Sequence, residues 1–414
     1  MKRKLIQQMR NEWRSNMWMM VEIAIVTLVV WSMFIIMGAM LKLKYSRTDY
    51  PMDNIYTSYI ETVPEESGSF TPYPEGQNFT DDLSRIIDVL RNNPEVELVG
   101  LGGNALPYSL NYTGNRLETR IDTSMAYYTG NVRYMDGNMA RIIGLKGLQG
   151  ESSNELAEML DRGEFLISDY DIAWDHETQE KDPSRWKGRQ VNFSGDSVNV
   201  FTVGAAVRGF RRYEYEQLGN GIIIRPVPAT WLPWEIAVKV RPGRGEAFME
   251  SLRASDLEAG NVYLAGFQSL DDRRTSVNQR ADTSQRNMVA CVLFLLVAVF
   301  LGFLGSFWFR TQQRVPELAI RKVNGATDGN IFRRLICEGL LLLAAPVIIV
   351  AILGTIVLWK ADLSEFLPRV ADGWLYAFAF AATVAVIGAT IIAGVWMPAR
   401  KAMGIPPAIA LHDQ

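Results

Sequence analysis

Hydrophobic and polar positions follow two regimes along this chain. Four stretches are apolar almost without a break: Trp18 to Leu41, Met288 to Phe309, Leu335 to Trp359 and Trp374 to Met397. Each reaches the roughly 20 apolar residues needed to cross a bilayer, so each predicts a transmembrane helix. Glu22 lies near the start of the first stretch. Glu338 lies in the first turn of the third, which also contains Pro346, and the second and fourth carry no charge. Trp18, Trp308, Trp359, Trp374 and Trp396 mark span ends, where amphipathic indoles favour the headgroup layer. Ahead of the first span, Leu5, Ile6, Met9, Trp13 and Met17 recur at spacings of three and four, with bases on the other faces. That pattern predicts an interfacial helix over residues 1–17. The first span is much longer than the apolar region of a signal peptide, about 7–15 residues, and no small-residue cleavage site follows it. It reads as an uncleaved anchor.

Between the first two spans the periods shorten. Residues 43–77 are rich in Thr, Ser, Pro, Glu and Tyr and read as an extended stalk or a poorly ordered link. Leu83, Ile86, Ile87 and Leu90 make one helical face, with Asp81 or Asp82 as the expected cap and Asn93-Pro94 as the stop. Val96 to Val99 predicts a strand, 117–135 alternates, and Met139 to Leu145 predicts a short helix ending at Gly144 or Gly147. Beyond 151 the pattern is strand-rich: Phe165 to Ile167, a hairpin from Gln190 to Val207, Ile222 to Ile224, and Ile236 to Val240. Glu246 to Leu257 reads as a helix, and 271–287 as a polar helix running into the second span. The expected fold is a membrane α-helical protein with four transmembrane helices (18–41, 288–309, 335–359 and 374–397). A large α+β extracytoplasmic domain, 42–287, separates spans one and two. Within it we expect an α/β lobe, 78–150 plus 233–270, with a β-rich lobe, 151–232, inserted. The mean hydropathy of +0.02 is what such a mixture averages to.

Charge orients this arrangement. The net charge of −3 divides into −10 over residues 43–287 and +7 over the remainder. Bases cluster at Lys2, Arg3, Lys4, Arg10 and Arg14, again over 310–334, and again at Arg400 and Lys401. The positive-inside rule makes these segments cytoplasmic, with both termini inside, 360–373 a short outer loop and 398–414 a cytoplasmic tail. Two cysteines, Cys291 and Cys337, lie in or beside spans, so the polar insert must fold without disulfides.

The insert shows no catalytic constellation. His176-Glu177 lacks the second histidine of a zinc-protease motif, no serine sits in a G-x-S-x-G setting, and no phosphate loop of the G-x-x-x-x-G-K-[ST] type occurs. Gly100 to Gly103 reads as a turn, and Arg211-Arg212 as a solvated face or a lobe contact. An enzyme is therefore not expected, nor a metal, nor a cofactor bound by this chain, nor nucleic acid as a partner.

The basic connection at 310–334 is the most informative segment. Val315, Leu318, Ala319 and Val323 line one helical face, while Arg314, Arg321 and Lys322 project elsewhere. Gly325 is placed to stop that helix and Thr327 to cap the next. A short helix fused to a span at each end is suited to docking.

Here the sequence resembles a family. Arg314-x-x-Glu317-Leu318-Ala-Ile-Arg321-Lys322-x-x-Gly325-Ala326, with Glu338 leading the third span, is similar to the signature of FtsX/MacB-type ABC transporter permeases. Pro398 to Ala402 and Pro406 to Leu411 resemble that family's tail. Tyr134 to Gly150, Gly163 to Ser168, Lys187-Gly188-Arg189 and Phe201 to Arg208 resemble the MacB-like periplasmic core. Unlike MacB, this chain has no fused nucleotide-binding domain, and Pro316 falls inside the motif. The resemblance implies a permease in the bacterial inner membrane, paired with a second copy or a related permease. It implies a separate cytoplasmic ATPase carrying ATP and Mg, docked on Arg314, Glu317, Leu318, Arg321, Lys322, Gly325 and Ala326. Hydrolysis would move the periplasmic domains for efflux or extraction of a substrate, with a periplasmic adaptor as a further partner. An FtsX-like role, regulating a periplasmic partner such as a cell-wall hydrolase, is the alternative. Glu22 and Glu338, the membrane-embedded acids, suit snorkelling or interhelical hydrogen bonds better than a substrate path.

Overall fold

A computed structural model describes residues 13–46, 50–109, 111, 113–121, 124–169, 182–196, 198–216, 221–228, 231–313, 315–360 and 372–403. The chain divides into an insert unit, Tyr45–Ala281, and a helical unit, Met1–Lys44 with Asp282–Gln414. In chain order the helices and strands are α1 (Trp13–Lys44), β1 (Ile55–Thr62), α2 (Phe79–Asn92), β2 (Val96–Gly103), β3 (Gly114–Ile121), β4 (Ser124–Met135), α3 (Gly137–Ile143), α4 (Ser153–Asp161), β5 (Phe165–Ser168), β6 (Gln190–Phe193), β7 (Phe201–Val207), β8 (Gly221–Pro226), β9 (Glu235–Val240), α5 (Gly245–Ser251), β10 (Glu258–Ala259), β11 (Val262–Leu264), β12 (Gln268–Ser269), α6 (Leu270–Gln313), α7 (Val315–Val323), α8 (Asp328–Lys360) and α9 (Gly373–Met403).

In the insert unit, β9 is sandwiched antiparallel between β1 and β2. Its alternation sets the layers. Ile236, Val238 and Val240 join Leu83, Ile86 and Leu90 of α2 and Phe248 of α5 in one core. Ala237, one residue out of phase, faces a second core with Met139 and Ile143 of α3 and Leu156 and Leu160 of α4. The stalk expected over 43–77 is corrected here: residues 55–62 form β1, which pairs with β9, β11 and β12. The cap of α2 is also corrected. It is Asn78, whose side chain accepts from Thr80 N–H, while Asp81 reaches back to the Asn78 N–H in a capping box. The helix expected over Glu246 to Leu257 is shorter, Gly245–Ser251, followed by a 3-10 turn.

Six strands then close on themselves in the order β4-β3-β6-β7-β5-β8, with β8 returning to β4 in parallel. Leu117, Tyr128, Phe165, Trp186, Val203 and Ile223 fill this ring. Closure places Gly130 opposite Gly221. A Cβ on Gly130 would stand 2.7 Å from the Gly221 carbonyl group, so the β4–β8 seam needs glycine there. The strand β4 joins ring and lobe, since its last residues, Tyr134 and Met135, also pair with Gly103 and Gly102 of β2.

Asp136 follows β4 and caps α3 by accepting from Met139 N–H at 2.7 Å. Burial pushes its carboxyl up to about 6, against the backbone hydrogen bonds that oppose the shift. The folded state therefore holds this proton more tightly than the unfolded chain does. Its contribution to stability is greatest below pH 4 and is lost as pH rises from about 4 to about 6. Two pKa units set an upper bound of about 3 kcal/mol. Asp136→Asn keeps the cap and removes the titration. Unfolding midpoints of the variant, measured from pH 4 to 6.5, are expected to lack that component of the wild-type decline; parallel profiles would contradict it.

Among the described residues the helical unit contains four helices long and apolar enough to cross a membrane, in α1, α6, α8 and α9. They are the four expected spans. Their shared core includes Ile23 and Val30 of α1, Phe303 and Phe307 of α6, Leu342 of α8 and Ile391 of α9. Outward positions are apolar too, among them Ile25, Phe294, Ile352 and Phe378, as lipid contact requires. Residues 1–12, most of the expected interfacial helix, lie outside the described residues, as do 361–371 of the expected outer loop and 404–414 of the tail. Pro398 does not end α9, which continues to Met403. Cys291 and Cys337 are free thiols.

Candidate functional site

The connection between α6 and α8 is built around α7. Pro316 stands in the first turn, where a missing N–H costs nothing and a fixed φ favours the helix. Leu318 and Ala319 are buried, and Leu318 packs into the core formed by the spans, near Ile331 and Leu335 of α8. The next face is open. Ile320 is 51% exposed and Val323 65% exposed. Val323 shares its predicted helical face with Leu318, yet it is open. The helix ends at Val323, and the chain turns away before that face can be covered.

The turn is a Schellman motif. Gly325 N–H donates to Lys322 O at 2.9 Å and Ala326 N–H to Arg321 O at 2.9 Å. Gly325 has φ +89°, a conformation a Cβ would strain. Thr327 then caps α8: its Oγ accepts from Asn330 N–H at 3.3 Å and its carbonyl from Ile331 N–H at 3.2 Å. Ala326 packs against the span core. Thus α7 is anchored by Leu318 and Ala326, with its exit angle set by Gly325.

The charges divide by role. Glu317 accepts from Arg321 at 2.6 and 3.1 Å, an i,i+4 pair with both side chains partly exposed. Such a pair contributes only a few tenths of a kcal/mol. It pre-orients the Arg321 guanidinium on the open side. Lys322 does otherwise: its Nζ lies 2.7 Å from Asp328 and donates to the carbonyl of Met403. The structure places that ammonium inside the unit, holding the turn to the end of α9. Lys401 Nζ sits 4.2 Å over the Trp308 ring, tying α9 to α6. Arg314 lies outside the described residues.

Of the embedded acids, Glu338 is buried on α8. Glu22 on α1 lies beside Gly302 of α6, where a Cβ would meet its carboxylate at 3.5 Å. The two acids and the α7 residues are placed on separate stretches of the helical unit, and among the described residues no group of His, Cys, Asp and Glu suits a metal ion.

One buried charge cluster was missed in the sequence. In the insert unit Glu214 accepts from Tyr108 Oη at 2.8 Å, Arg274 Nε at 2.5 Å and Asn278 Nδ2 at 2.6 Å. Burial alone would raise this carboxyl; the hydrogen bonds from Asn278 and Tyr108 outweigh it and hold the pKa below the ordinary value. Arg211, 3% exposed, donates to the carbonyls of Glu214 and Ser46, so it is a contact within the unit and not a solvated face. Residues from three separated segments thus converge on the first turns of α6.

Residues 288–407 match the model of the FtsX-like permease C-terminal family. That segment holds α7, α8, α9 and the apolar part of α6, and it is what this chain shares with the FtsX-like permeases. The periplasmic region of MacB from Actinobacillus actinomycetemcomitans aligns at 13% identity and a TM-score of 0.32, covering 57% of this chain and 98% of that one. The extracellular domain of the noncanonic ABC-type transporter YknZ from Gram-positive bacteria aligns at 10% identity and a TM-score of 0.31, covering 51% and 100%. No curated protein matches the chain in sequence.

Proposed function

We propose that this chain is the permease subunit of an ABC-type mechanotransmission complex. A separate cytoplasmic ATPase, carrying ATP and Mg, docks on α7, and a second permease copy or a related permease completes the pair. The observation that carries the reading is the split character of α7. One side is keyed into the span core through Leu318. The other presents Ile320, Arg321 and Val323 in a short helix whose ends are fused to spans. Exposed apolar residues beside a pre-oriented guanidinium are the composition of a protein contact.

The charge division of the chain supports placing α7 inside and residues 43–287 outside, in the periplasm. A push on α7 reaches α6 and α8 together, because Leu318 and Ala326 leave it no slack. The two spans without charge, 288–309 and 374–397, favour work done on a substrate at the outer face over a polar conduit through the membrane. Efflux or extraction at that face, with a periplasmic adaptor as partner, is the form we assign.

Co-purification with the nucleotide-binding subunit tests this. Arg321→Glu is expected to reduce ATPase recovery about tenfold, as for loss of a charged interface contact. The exchange Glu317→Arg with Arg321→Glu restores an intrahelical pair but not the presented charge, so it is expected to remain defective. Undiminished recovery with the single variant, in a folded chain, would overturn the docking assignment.

A further inference from the structure

A cavity of about 420 Å³ opens in the insert unit, beside the strand ring. Its walls include Leu160, Phe165 and Phe201, with Pro226 and Pro228 after β8. Arg225, the last residue but one of β8, also lines it. The guanidinium carbon stands 4.9 Å from the ring centre of Tyr134, 5.4 Å from Phe193, and 5.5 Å from Phe165 and Phe201. Phe165 and Phe201 are themselves stacked, with centres 4.3 Å apart.

Four rings face this cation, and none of them accepts a hydrogen bond from it. Arg225 Nε is buried, and among the described residues nothing accepts from it. No acid pairs with Arg225 among them either. A half-buried guanidinium whose Nε–H is buried without an acceptor, and which among the described residues faces no paired acid, is an unmet electrostatic demand at the wall of a ligand-sized cavity. The acids that also line the cavity are otherwise engaged: Asp136 caps α3, and Asp161 accepts from Gly137 N–H at 3.1 Å. Their negative charge opposes any anion and a dianion most, so the head that Arg225 can hold carries a single charge.

We propose that this cavity binds an amphiphilic monoanion, its head on Arg225 and its apolar body along Leu160, Phe165, Phe201 and the prolines. A fatty carboxylate and a lipid-type phosphodiester share that chemistry. The site is separate from α7, and its occupancy does not depend on ATPase docking.

Calorimetric titration of the full-length chain in non-ionic detergent, against detergent blanks, tests the assignment. The probes are octanoate, methyl octyl phosphate, octanol and octylammonium. Octanoate is expected to bind saturably at one to one, with octanol and octylammonium weaker by about tenfold or more, the value of one charge-assisted contact. Comparable binding of methyl octyl phosphate would extend the ligand to phosphodiesters; weaker binding would restrict it to carboxylates. Arg225→Gln is expected to remove the preference for octanoate over octanol, and Arg225→Lys to keep part of it. Val227→Trp, which fills the cavity without changing charge, is expected to abolish binding of both, and decides the matter if Arg225→Gln does not fold. Equal binding of octanoate and octylammonium to the wild type, or octanoate binding unchanged by Val227→Trp, would overturn the proposal.

Discussion

Glu214→Ala is expected to destabilise the insert unit by about 3 kcal/mol. The side chain is 4% exposed and accepts three hydrogen bonds, from Tyr108, Arg274 and Asn278. Alanine would leave a buried phenol and a buried amide without their acceptor, and Arg274 without its closest anion. Because Arg274 is itself 46% exposed, water recovers part of that loss, which sets the figure at the low end for a broken buried pair. Glu214→Gln keeps acceptor geometry toward Tyr108 and is expected to cost about half as much. The linkage has a definite sign. A carboxyl whose folded pKa is depressed adds stability above its unfolded pKa and loses it as pH falls through the folded value. The wild type should therefore begin to lose this increment as pH falls below the ordinary glutamate range, and Glu214→Ala should not. Denaturant unfolding of the full chain at pH 7 and pH 3.5 measures both. A variant within about 0.5 kcal/mol of wild type at pH 7 would show that the cluster carries no stability.

Gly354→Leu is expected to cost about 3 kcal/mol or more in the helical unit. A Cβ at Gly354 on α8 would lie 2.1 Å from Trp31 Cζ3 on α1. The indole cannot swing aside cheaply. Its Nε1–H donates to Tyr376 O at 3.2 Å, and its edge meets Phe380 at a centre distance of 5.2 Å. Glycine thus lets three helices converge on one tryptophan, the small-residue device by which apolar helices approach closely in lipid. Trp31→Ala added to Gly354→Leu should be less damaging than the sum of the single changes, because the leucine then occupies the indole's space. Strict additivity in thermal unfolding would contradict this packing account.

The spans were legible because their signal is local: an uninterrupted apolar run needs no partner to be recognised. The Gly325 stop and Thr327 cap were legible for the same reason, since each is defined within a few residues of the helix it bounds. β1 was not. Its residues sit among Pro, Glu and Ser, and only pairing with β9, β11 and β12, some two hundred positions later, makes them a strand. The Glu214 cluster was hidden in the run Arg211-Arg212-Tyr213-Glu214-Tyr215-Glu216, whose charge density imitates a solvated face. Nothing local announces that Arg274 and Asn278 close over it. Lys322 was likewise read with its neighbours, although its partners Asp328 and Met403 lie across a turn and at the end of α9. Arg225 left a usable trace: a lone base ending the run Ile222-Ile223-Ile224 has to point somewhere apolar or be compensated.

The central claim is that the open side of α7 receives a cytoplasmic ATPase. Its most direct test is site-specific photo-crosslinking in intact cells. A photoreactive residue at Val323, 65% exposed, is compared with one at Trp374, 80% exposed at the far end of a span. The account predicts an adduct with a nucleotide-binding subunit from position 323 and none from 374. Adducts from 374, or none from 323 in a correctly inserted chain, would contradict it.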